Sequence, residues 1–506
     1  MALCACGDDS TQSAGSTSST GGATSGSTTS AATPDPDTGN GGSTPATSAD
    51  GTESTTTADA STSDASTSSG GSSESTGQPI GIDCDRFESN LPLVFIDTDG
   101  REIPDEPKID GDLRIIDNGE GYMNCWGDPA AFAGTIGIER RGSSSQQLHP
   151  KVSYGVETRD ARGEDLDVSI LGMPEESDWV MYAPYADKTM IRNVLAYRIH
   201  NEMGHYSTRT RNVEVMLDGE YWGVYVWEEK IKRGDDRVPI AKLETTDVAG
   251  DAVTGGYILK IDKLTGMVGA NWTSPYSDEV TFQVHYPKGD NIVPAQAQYI
   301  QTEATQFENV LASPGFADPV TGYASMIDVP SFIDFMILQE LSRPVDGYRS
   351  SAYMHKQRDS AGGRFVAGPM WDFNIAFGNA DYCNGASTTG YQYNFDDVCG
   401  EVFDVEIPFW WERLRQDPAF DDALRCRWEA LRGTTLSDES LLGFIESAAM
   451  EISEAQVRNF ERWPIIGIYV DWNPFVGRTY DEEIEYLSSW TLDRAQWLDE
   501  NFGGTC

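Results

Sequence analysis

Two aspartates in the second half of the chain have surroundings that suit phosphotransfer. Asp346 follows an apolar, helix-forming stretch, and Asp372 follows a short strand-like stretch and precedes Phe373 and Asn374. Phosphotransfer requires one carboxylate that orients or deprotonates the acceptor hydroxyl and another that holds Mg²⁺ on the phosphates. The order of the two aspartates, 26 residues apart, predicts a catalytic role for Asp346 and a metal-binding role for Asp372. The structural alternatives are an ordinary turn at Asp346 and an ordinary strand end at Asp372.

Small and positively charged residues earlier in the chain are candidates for binding the phosphates of ATP. Arg141, Gly142 and Ser143 lie in a polar loop, and Lys151 opens the strand that follows. Cationic side chains and glycine-rich loops are common phosphate ligands in kinases. Arg141 and Lys151 are therefore predicted to contact the phosphates. The structural alternatives are a loop salt bridge for Arg141 and a surface lysine on an edge strand for Lys151.

A strong hairpin signal precedes two further candidates. Alternating strands on either side of Asp218-Gly219 predict a two-residue turn, because both turn positions require positive φ. Glu228 and Lys230 follow the second strand. In the order of elements of a kinase small lobe they occupy the hinge, so they are predicted to line the nucleotide site.

The first half of the chain reads as mainly β-structure with one helix. Thr135–Glu139 and Lys151–Thr158 alternate between apolar and polar residues and predict a hairpin with a long loop. Asp187 is predicted to cap a helix that runs to Met203, and Gly255–Ile261 is predicted as another strand.

The second half of the chain reads as helical. Apolar residues recur at helical spacing, and Thr479-Tyr-Asp-Glu482 is a capping box; the predicted helices are Gln296–Ala312, Phe332–Leu341, Pro408–Arg432, Ser437–Arg462 and one beginning after Thr479. A β-rich part followed by an α-rich part predicts an α+β fold of two lobes around one cleft. The predicted boundaries are 1–82 for an N-terminal linker, 83–290 for the β-rich lobe and 291–506 for the α-rich lobe.

Composition restricts the classes of partner. The chain of 506 residues has 81 acidic and 36 basic residues and a net charge of -45. The Ser/Thr/Gly-rich segment before residue 79 carries nine of the acidic residues and no basic one, so about -36 remains on the rest. Nucleic-acid binding rests on basic surfaces, so no nucleic-acid partner is expected. The low-complexity segment cannot bury a core and is expected to be a flexible linker.

Cysteines indicate an extracytoplasmic location. Leu3-Cys4-Ala5-Cys6 resembles a bacterial lipobox ahead of a long spacer, which predicts a lipoprotein whose only membrane contact is an anchor on Cys6. The alternative is a pair of ordinary cysteines. Six further cysteines allow fifteen pairings. Proximity, and the stabilisation that a bond to the C-terminus would give, favour the pairs Cys84–Cys125, Cys383–Cys399 and Cys426–Cys506.

Several ordered segments resemble the spore-coat protein H (CotH) kinase family. They are Ile138–Ser145, Pro150–Tyr154, Leu171–Pro174, Asp187–Tyr197, Val213–Tyr225, Gly255–Asp262, Asp346–Tyr348 and Trp371–Gly378. Together they extend over roughly residues 90 to 500 in the order of the family.

The resemblance implies an atypical protein-kinase-like fold with two lobes. It also implies ATP- and Mg²⁺- (or Mn²⁺-) dependent phosphorylation of Ser or Thr in a protein, with Asp346 catalytic and Asp372 binding the metal. Two positions depart from ordinary kinases: Ser351 stands where Asn is expected, and Asn374 replaces a Gly. Asn374 is expected to serve as a second metal ligand, because Mg²⁺ accepts carboxylate and amide oxygens.

Two other functions remain open from the sequence. A non-catalytic surface, coat-assembly or adhesion protein would retain the kinase-like fold, and the high negative charge favours this alternative because it repels ATP. A glycosidase would use Asp346 and Asp372 as paired carboxylates. Lys151 beside a Gly/Ser loop fits phosphate better than sugar.

Overall fold

Strands dominate the first part of the molecule and helices the second, as the sequence predicts. The computed structural model describes Cys84 and residues 86–264, 269–399 and 406–506, without the side chain of Asp290. Its strands are β1 (Glu88–Ser89), β2 (Leu93–Asp97), β3 (Ile109–Ile116), β4 (Asn124–Cys125), β5 (Phe132–Arg141), β6 (Ser153–Arg159), β7 (Asp178–Tyr182), β8 (Thr210–Leu217), β9 (Glu220–Glu229), β10 (Tyr257–Ile261), β11 (Asn271–Thr273), β12 (Thr281–Tyr286), β13 (Ala352–Lys356) and β14 (Phe365–Ala367).

The helices follow mainly after residue 290. They are α1 (Ser144–Leu148), α2 (Arg192–Glu202), α3 (Pro294–Ala312), α4 (Val329–Ser342), α5 (Asp396–Cys399), α6 (Trp410–Arg415), α7 (Pro418–Arg432), α8 (Asp438–Glu451), α9 (Ala455–Arg462) and α10 (Tyr480–Asn501). None of the helices in the described ranges is long and apolar enough to cross a bilayer. The predicted α+β content is confirmed.

Seven strands close into a barrel in the order β2-β3-β5-β6-β7-β9-β8. Side chains alternate between the inside and the outside of a barrel, and one alternating set of apolar residues on each strand fills the inside. Its core includes Val94, Ile96, Leu113, Ile115, Ile136, Ile138, Val156, Trp179, Met181, Val213, Val215, Tyr225 and Trp227. The β8–β9 turn has φ of 49° at Asp218 and 82° at Gly219, as predicted for this hairpin.

A second sheet joins strands from both halves of the sequence. Its antiparallel order is β11-β12-β10-β13-β14. The two strands after residue 290 join it because β13 pairs with β10, and β14 then pairs with β13. Both faces of the sheet are packed against protein, and the helical part covers one of them in a single large core. The described residues all fall within one compact unit; the boundary at residue 290 stays a prediction.

Three predicted helices differ in extent from the observed ones. Helix α2 begins at Arg192 rather than after Asp187. The Asp187 carboxylate accepts a hydrogen bond from the Thr189 hydroxyl (2.6 Å), which closes a turn, and another from the Arg192 N–H (2.9 Å) at the start of the helix. The stretch 408–432 is divided at Asp417, whose side chain caps α7 ahead of Pro418. The stretch 437–462 is divided into α8 and α9.

Candidate active site

Three strand ends bring three aspartates to the same edge of the five-stranded sheet. Ile261 pairs with Ala352 and Ala367 pairs with Met354, so the end of β10, the start of β13 and the end of β14 lie together. Asp262 directly follows β10, Asp346 precedes β13 by six residues, and Asp372 follows β14 by five. The hairpin β13–β14 thus separates Asp346 from Asp372 along the chain and returns them to one place.

The electrostatic properties of Asp372 show that these carboxylates are neighbours. Asp372 is partly exposed, and its pKa is raised to about 7. Desolvation by the surrounding protein is the largest cause, and the charges of Asp346 and Asp262 add to it. Lys263 and Arg141 lower the pKa of the same group. We call Asp262, Asp346 and Asp372 the acidic cluster. It has an excess of negative charge, and a bound cation would reduce the repulsion between its carboxylates.

Helix α2 holds the backbone on both sides of Asp372. The Asp372 N–H donates to the Tyr197 hydroxyl (3.1 Å), and the Phe373 N–H donates to Asn193 Oδ1 (2.7 Å). The Arg192 guanidinium donates to the Ala376 carbonyl (3.1 Å). Asp372 itself has φ of 69°, a conformation that costs a non-glycine residue free energy and is concentrated at functional sites. The helix fixes the direction of this carboxylate.

The loop that carries Asp346 is anchored to a buried ion pair. Tyr348, two residues after Asp346, donates its hydroxyl to Glu340 Oε1 (2.9 Å), and Arg494 of α10 pairs with Glu340 Oε2 (3.1 Å). Glu340 and Arg494 are both fully buried. Burial lowers the pKa of Arg494 to about 10, so its guanidinium keeps its charge at neutral pH. The pair fixes the start of the Asp346 loop against two helices.

Asp262 is a site residue that residue-by-residue sequence reasoning missed, although it lies in a segment that resembles the family. Its carboxylate accepts from Lys260 Nζ (2.9 Å) and from the Ser350 hydroxyl (2.9 Å). The signal was available as a charged pair, Lys260 and Asp262, at the end of an otherwise apolar strand.

A group of cations lies beside the acidic cluster. Arg141, Lys230 and Lys260 each lower the pKa of His285, which burial, the largest cause, brings to about 4. His285 Nε2 is bonded to the Ile231 carbonyl (2.8 Å). We call these three cations the basic island. The sequence predicts a group of cations around Arg141 and Lys151, and it places Lys230 in the nucleotide site. The structure keeps Arg141 and Lys230 and adds Lys260.

The members of the basic island are positioned by burial and by aromatic contacts. The Arg141 guanidinium lies 5.4 Å from the centroid of the Trp371 ring, directly before Asp372 in sequence. Burial lowers the pKa of Lys230 to about 8; Asp178 acts against this shift and Arg141 adds to it. A local group of cations favours the binding of an anion.

Lys151 does not lie in this island, contrary to the expectation that it contacts phosphate. Its ammonium is buried and donates to the Val224 carbonyl (2.5 Å) and to Asn459 Oδ1 (2.9 Å). Val224 precedes Glu228 by four residues on β9, a distance of about 13 Å along a strand. Desolvation lowers the pKa of Lys151 well below its usual value. Lys151 instead ties the barrel to helix α9.

The remaining predicted residues have separate placements. Gly142 (φ 112°) and Ser143 are exposed and lead into the single turn of α1 rather than into an open loop. Asn374, partly exposed, follows Asp372 by two residues and accepts from Asn379 Nδ2 through its backbone oxygen (2.8 Å). Glu228 is buried on β9, and the charges of Arg141 and Asp372 act on its carboxyl group.

The described ranges contain one compact group of three potential metal ligands, Cys84, Glu88 and Cys125, within 4.8 Å of one another. Its two sulfurs form a disulfide, so it does not fit a metal. The acidic cluster is more open. Such a set fits Mg²⁺, which keeps several waters and takes one or two carboxylates together with phosphate oxygens. Asp372 and Asn374 have the oxygen donors for such an ion.

The three predicted disulfides are confirmed. Cys84 is bonded to Cys125, Cys383 to Cys399, and Cys426 to Cys506. Structural disulfides of this kind are compatible with an extracytoplasmic protein. The predicted lipid anchor, Cys6, lies outside the described residues.

Comparison with known families identifies the chain. The sequence model of a family described as CotH kinase protein matches residues 138–498. The chain belongs to the CotH kinase family. The match extends over most of the sequence and contains every residue of the acidic cluster and of the basic island, so the resemblance inferred from the sequence is confirmed. A search of curated proteins gave no match. Membership in the CotH kinase family indicates a kinase-like function that uses a nucleotide and a divalent metal.

Proposed function

We propose that the protein is an atypical Ser/Thr protein kinase that acts outside the cytoplasm. It transfers the γ-phosphate of ATP to a hydroxyl of a surface or secreted protein, and a lipid on Cys6 tethers it to a membrane. The observation that carries the proposal is the basic island of Arg141, Lys230 and Lys260 next to the acidic cluster. A concentration of cations is otherwise unexpected in a chain with a net charge of -45.

In this proposal each cluster has one task. The basic island binds the triphosphate, and Asp372 with Asn374 holds a divalent metal, which neutralises charge on the phosphates when bound. Asp346 orients the acceptor hydroxyl and accepts its proton while the hydroxyl oxygen bonds to the γ-phosphorus. The bond between that phosphorus and the bridging β–γ oxygen breaks, and ADP leaves. The barrel and the helical part form the two lobes of a kinase-like fold around these groups.

The order of the elements supports this assignment. A kinase is expected to have two aspartates separated by a β-hairpin, as Asp346 and Asp372 are here. Helix α2 is hydrogen-bonded to the segment after the second aspartate. The Ser/Thr-rich segment before residue 79 is itself a candidate acceptor.

A non-catalytic surface or coat-assembly protein is the second candidate. The observation that favours it is the position of Lys151, which the structure uses to join the barrel to α9 rather than to contact phosphate.

Thermal unfolding of the whole chain distinguishes the two candidates. A ligand that binds only the folded state raises its stability by about 2.7 kcal/mol at a hundredfold excess over Kd. The kinase proposal predicts a higher Tm with millimolar Mg-ATP than with Mg²⁺ alone. Equal Tm values under the two conditions would support the non-catalytic candidate.

A further inference from the structure

Glu228 is a buried carboxyl group without a hydrogen-bond partner at one of its oxygens. It is 1% exposed, and no described group bonds to its Oε2. The next residue, Glu229, is also buried, but Arg209 (2.8 Å) and Arg237 (3.2 Å) pair with it. Glu229 lies on the same side of β9 as Tyr225 and Trp227, which belong to the barrel core. Because side chains alternate along a strand, Glu228 points out of the barrel, toward the body of the molecule.

The surroundings of Glu228 place it at the edge of the acidic cluster. Burial is the largest cause of the raised pKa of Glu228; the positive charge of Arg141 opposes the shift, and the negative charge of Asp372 adds to it. Burial raises the pKa of Tyr182 and of Tyr197, and the charges of Glu228 and Asp372 add to this shift in both tyrosines. The Tyr197 hydroxyl also accepts a hydrogen bond from the Asp372 backbone N–H. Glu228 therefore shares one polar niche with Asp372.

Neither carboxyl group has a direct partner among the described residues, although Arg141 lowers the pKa of both. Within the described ranges, no hydrogen bond or ion pair reaches the side-chain oxygens of Asp372 or Glu228, whereas Asp262 has both Lys260 and Ser350. Burial of an uncompensated charge is costly, and a second negative charge nearby raises the cost. A divalent cation between the two groups removes this repulsion, and carboxylates are the ligands that Mg²⁺ and Mn²⁺ prefer.

We propose that Glu228 and Asp372 together bind a divalent cation, so that the barrel contributes a metal ligand directly. This assigns to Glu228 a role different from that of a hinge residue in the nucleotide site. The inference rests on the proposed function only for the role of Asp372 as a metal ligand.

Binding of Mn²⁺ to the whole chain without nucleotide tests this site. Free Mn²⁺ is followed by electron paramagnetic resonance. We expect Glu228→Gln to weaken binding by at least about tenfold, a loss typical even of residues that support a metal ligand. Glu220→Gln, which makes the same change at the exposed start of β9, should bind Mn²⁺ like the wild type. No Mn²⁺ binding by the wild type, or equal affinity in Glu228→Gln, would overturn the proposal.

Thermal unfolding provides a second readout that does not depend on phosphotransfer. Mn²⁺ should raise the Tm of Glu228→Gln less than it raises the Tm of the wild type, because the variant lacks one ligand. Glu228→Leu provides the same test if the glutamine variant does not fold. If Mn²⁺ binding depends on Glu228 but no phosphate is transferred, the metal site stands and the kinase proposal fails. If the wild type transfers phosphate but Glu228→Gln binds Mn²⁺ as tightly as the wild type, the kinase proposal stands and the metal site at Glu228 fails.

Discussion

Removal of the charge of Glu340 should destabilise the fold and loosen the Asp346 loop. The carboxylate accepts four hydrogen bonds, from the Tyr348 hydroxyl, the backbone N–H groups of Gln392 and Tyr393, and Arg494. Glu340→Gln keeps the shape of the side chain. It places an amide N–H₂ against two of these donors and leaves the Arg494 guanidinium buried without an anion.

The size of this effect follows from the burial of both partners. Breaking one side of a fully buried ion pair costs about 3–5 kcal/mol. With an unfolding entropy of about 2.1 cal/mol/K per residue, a folded part of about 420 residues would lose about 3–6 °C in Tm. Differential scanning calorimetry measures this change.

A matched control separates burial from the chemical substitution. Glu485→Gln makes the same change at an exposed position of α10, the helix that carries Arg494, and should change the stability by less than about 0.5 kcal/mol. A surface substitution changes the Tm of a protein of this size by about 1 °C or less. If the Tm of Glu340→Gln lies within about 1 °C of the wild-type Tm, the reasoning that this pair anchors the Asp346 loop is refuted.

Lys260→Met should weaken the binding of Mg-ATP, measured by isothermal titration, by at least about tenfold, because one charge-assisted hydrogen bond is lost. Lys151→Met should leave the affinity of the folded protein for Mg-ATP unchanged. The reverse result would place the phosphates at Lys151. Burial lowers the pKa of His200 to about 3 and of His355 to about 4, so between about pH 6.5 and pH 4 the unfolded chain binds protons that the folded chain does not. Stability should therefore fall as the pH falls through this range, and urea unfolding of His355→Gln should show a shallower slope; an equal slope would contradict this. Removal of the Cys426–Cys506 disulfide, which closes a loop of 80 residues, should cost about 4–5 kcal/mol, against about 3 kcal/mol for Cys383–Cys399 with 16; urea midpoints of the paired Cys→Ser variants measure the difference, and a smaller loss for the longer loop would contradict it.

The elements of the fold were largely predictable because their signals are local. Alternation and the Asp-Gly turn located β8 and β9, and the capping box located α10, where the Thr479 hydroxyl accepts the Glu482 N–H (3.2 Å). Closure of the barrel was not predicted. It depends on the parallel pairing of β2 with β8, more than a hundred residues apart, and no local pattern encodes such a contact.

The acidic part of the site was easier to predict than the basic part. Asp346 and Asp372 stand out because Asp346 follows an apolar, helix-forming stretch and Asp372 follows a short strand-like stretch, directly ahead of Phe373 and Asn374. Lys151 appeared to be a phosphate ligand from its place at the start of a strand, but its side chain reaches Asn459, about 300 residues later in the chain. Lys260 was overlooked because its contribution depends on which strands are neighbours in the sheet. A side chain's partners are set by tertiary packing, which residue type and spacing alone do not determine.

The central claim, that the protein transfers phosphate, is tested most directly with ATP labelled at the γ-phosphate. The whole purified chain is incubated with Mg²⁺ or Mn²⁺ and a Ser/Thr-rich acceptor protein, and labelled phosphoserine and phosphothreonine are measured on the acceptor and on the chain itself. We expect labelling by the wild type and only background labelling by Asp346→Asn and Asp372→Ala. Equal background labelling by the wild type and Asp372→Ala would contradict it.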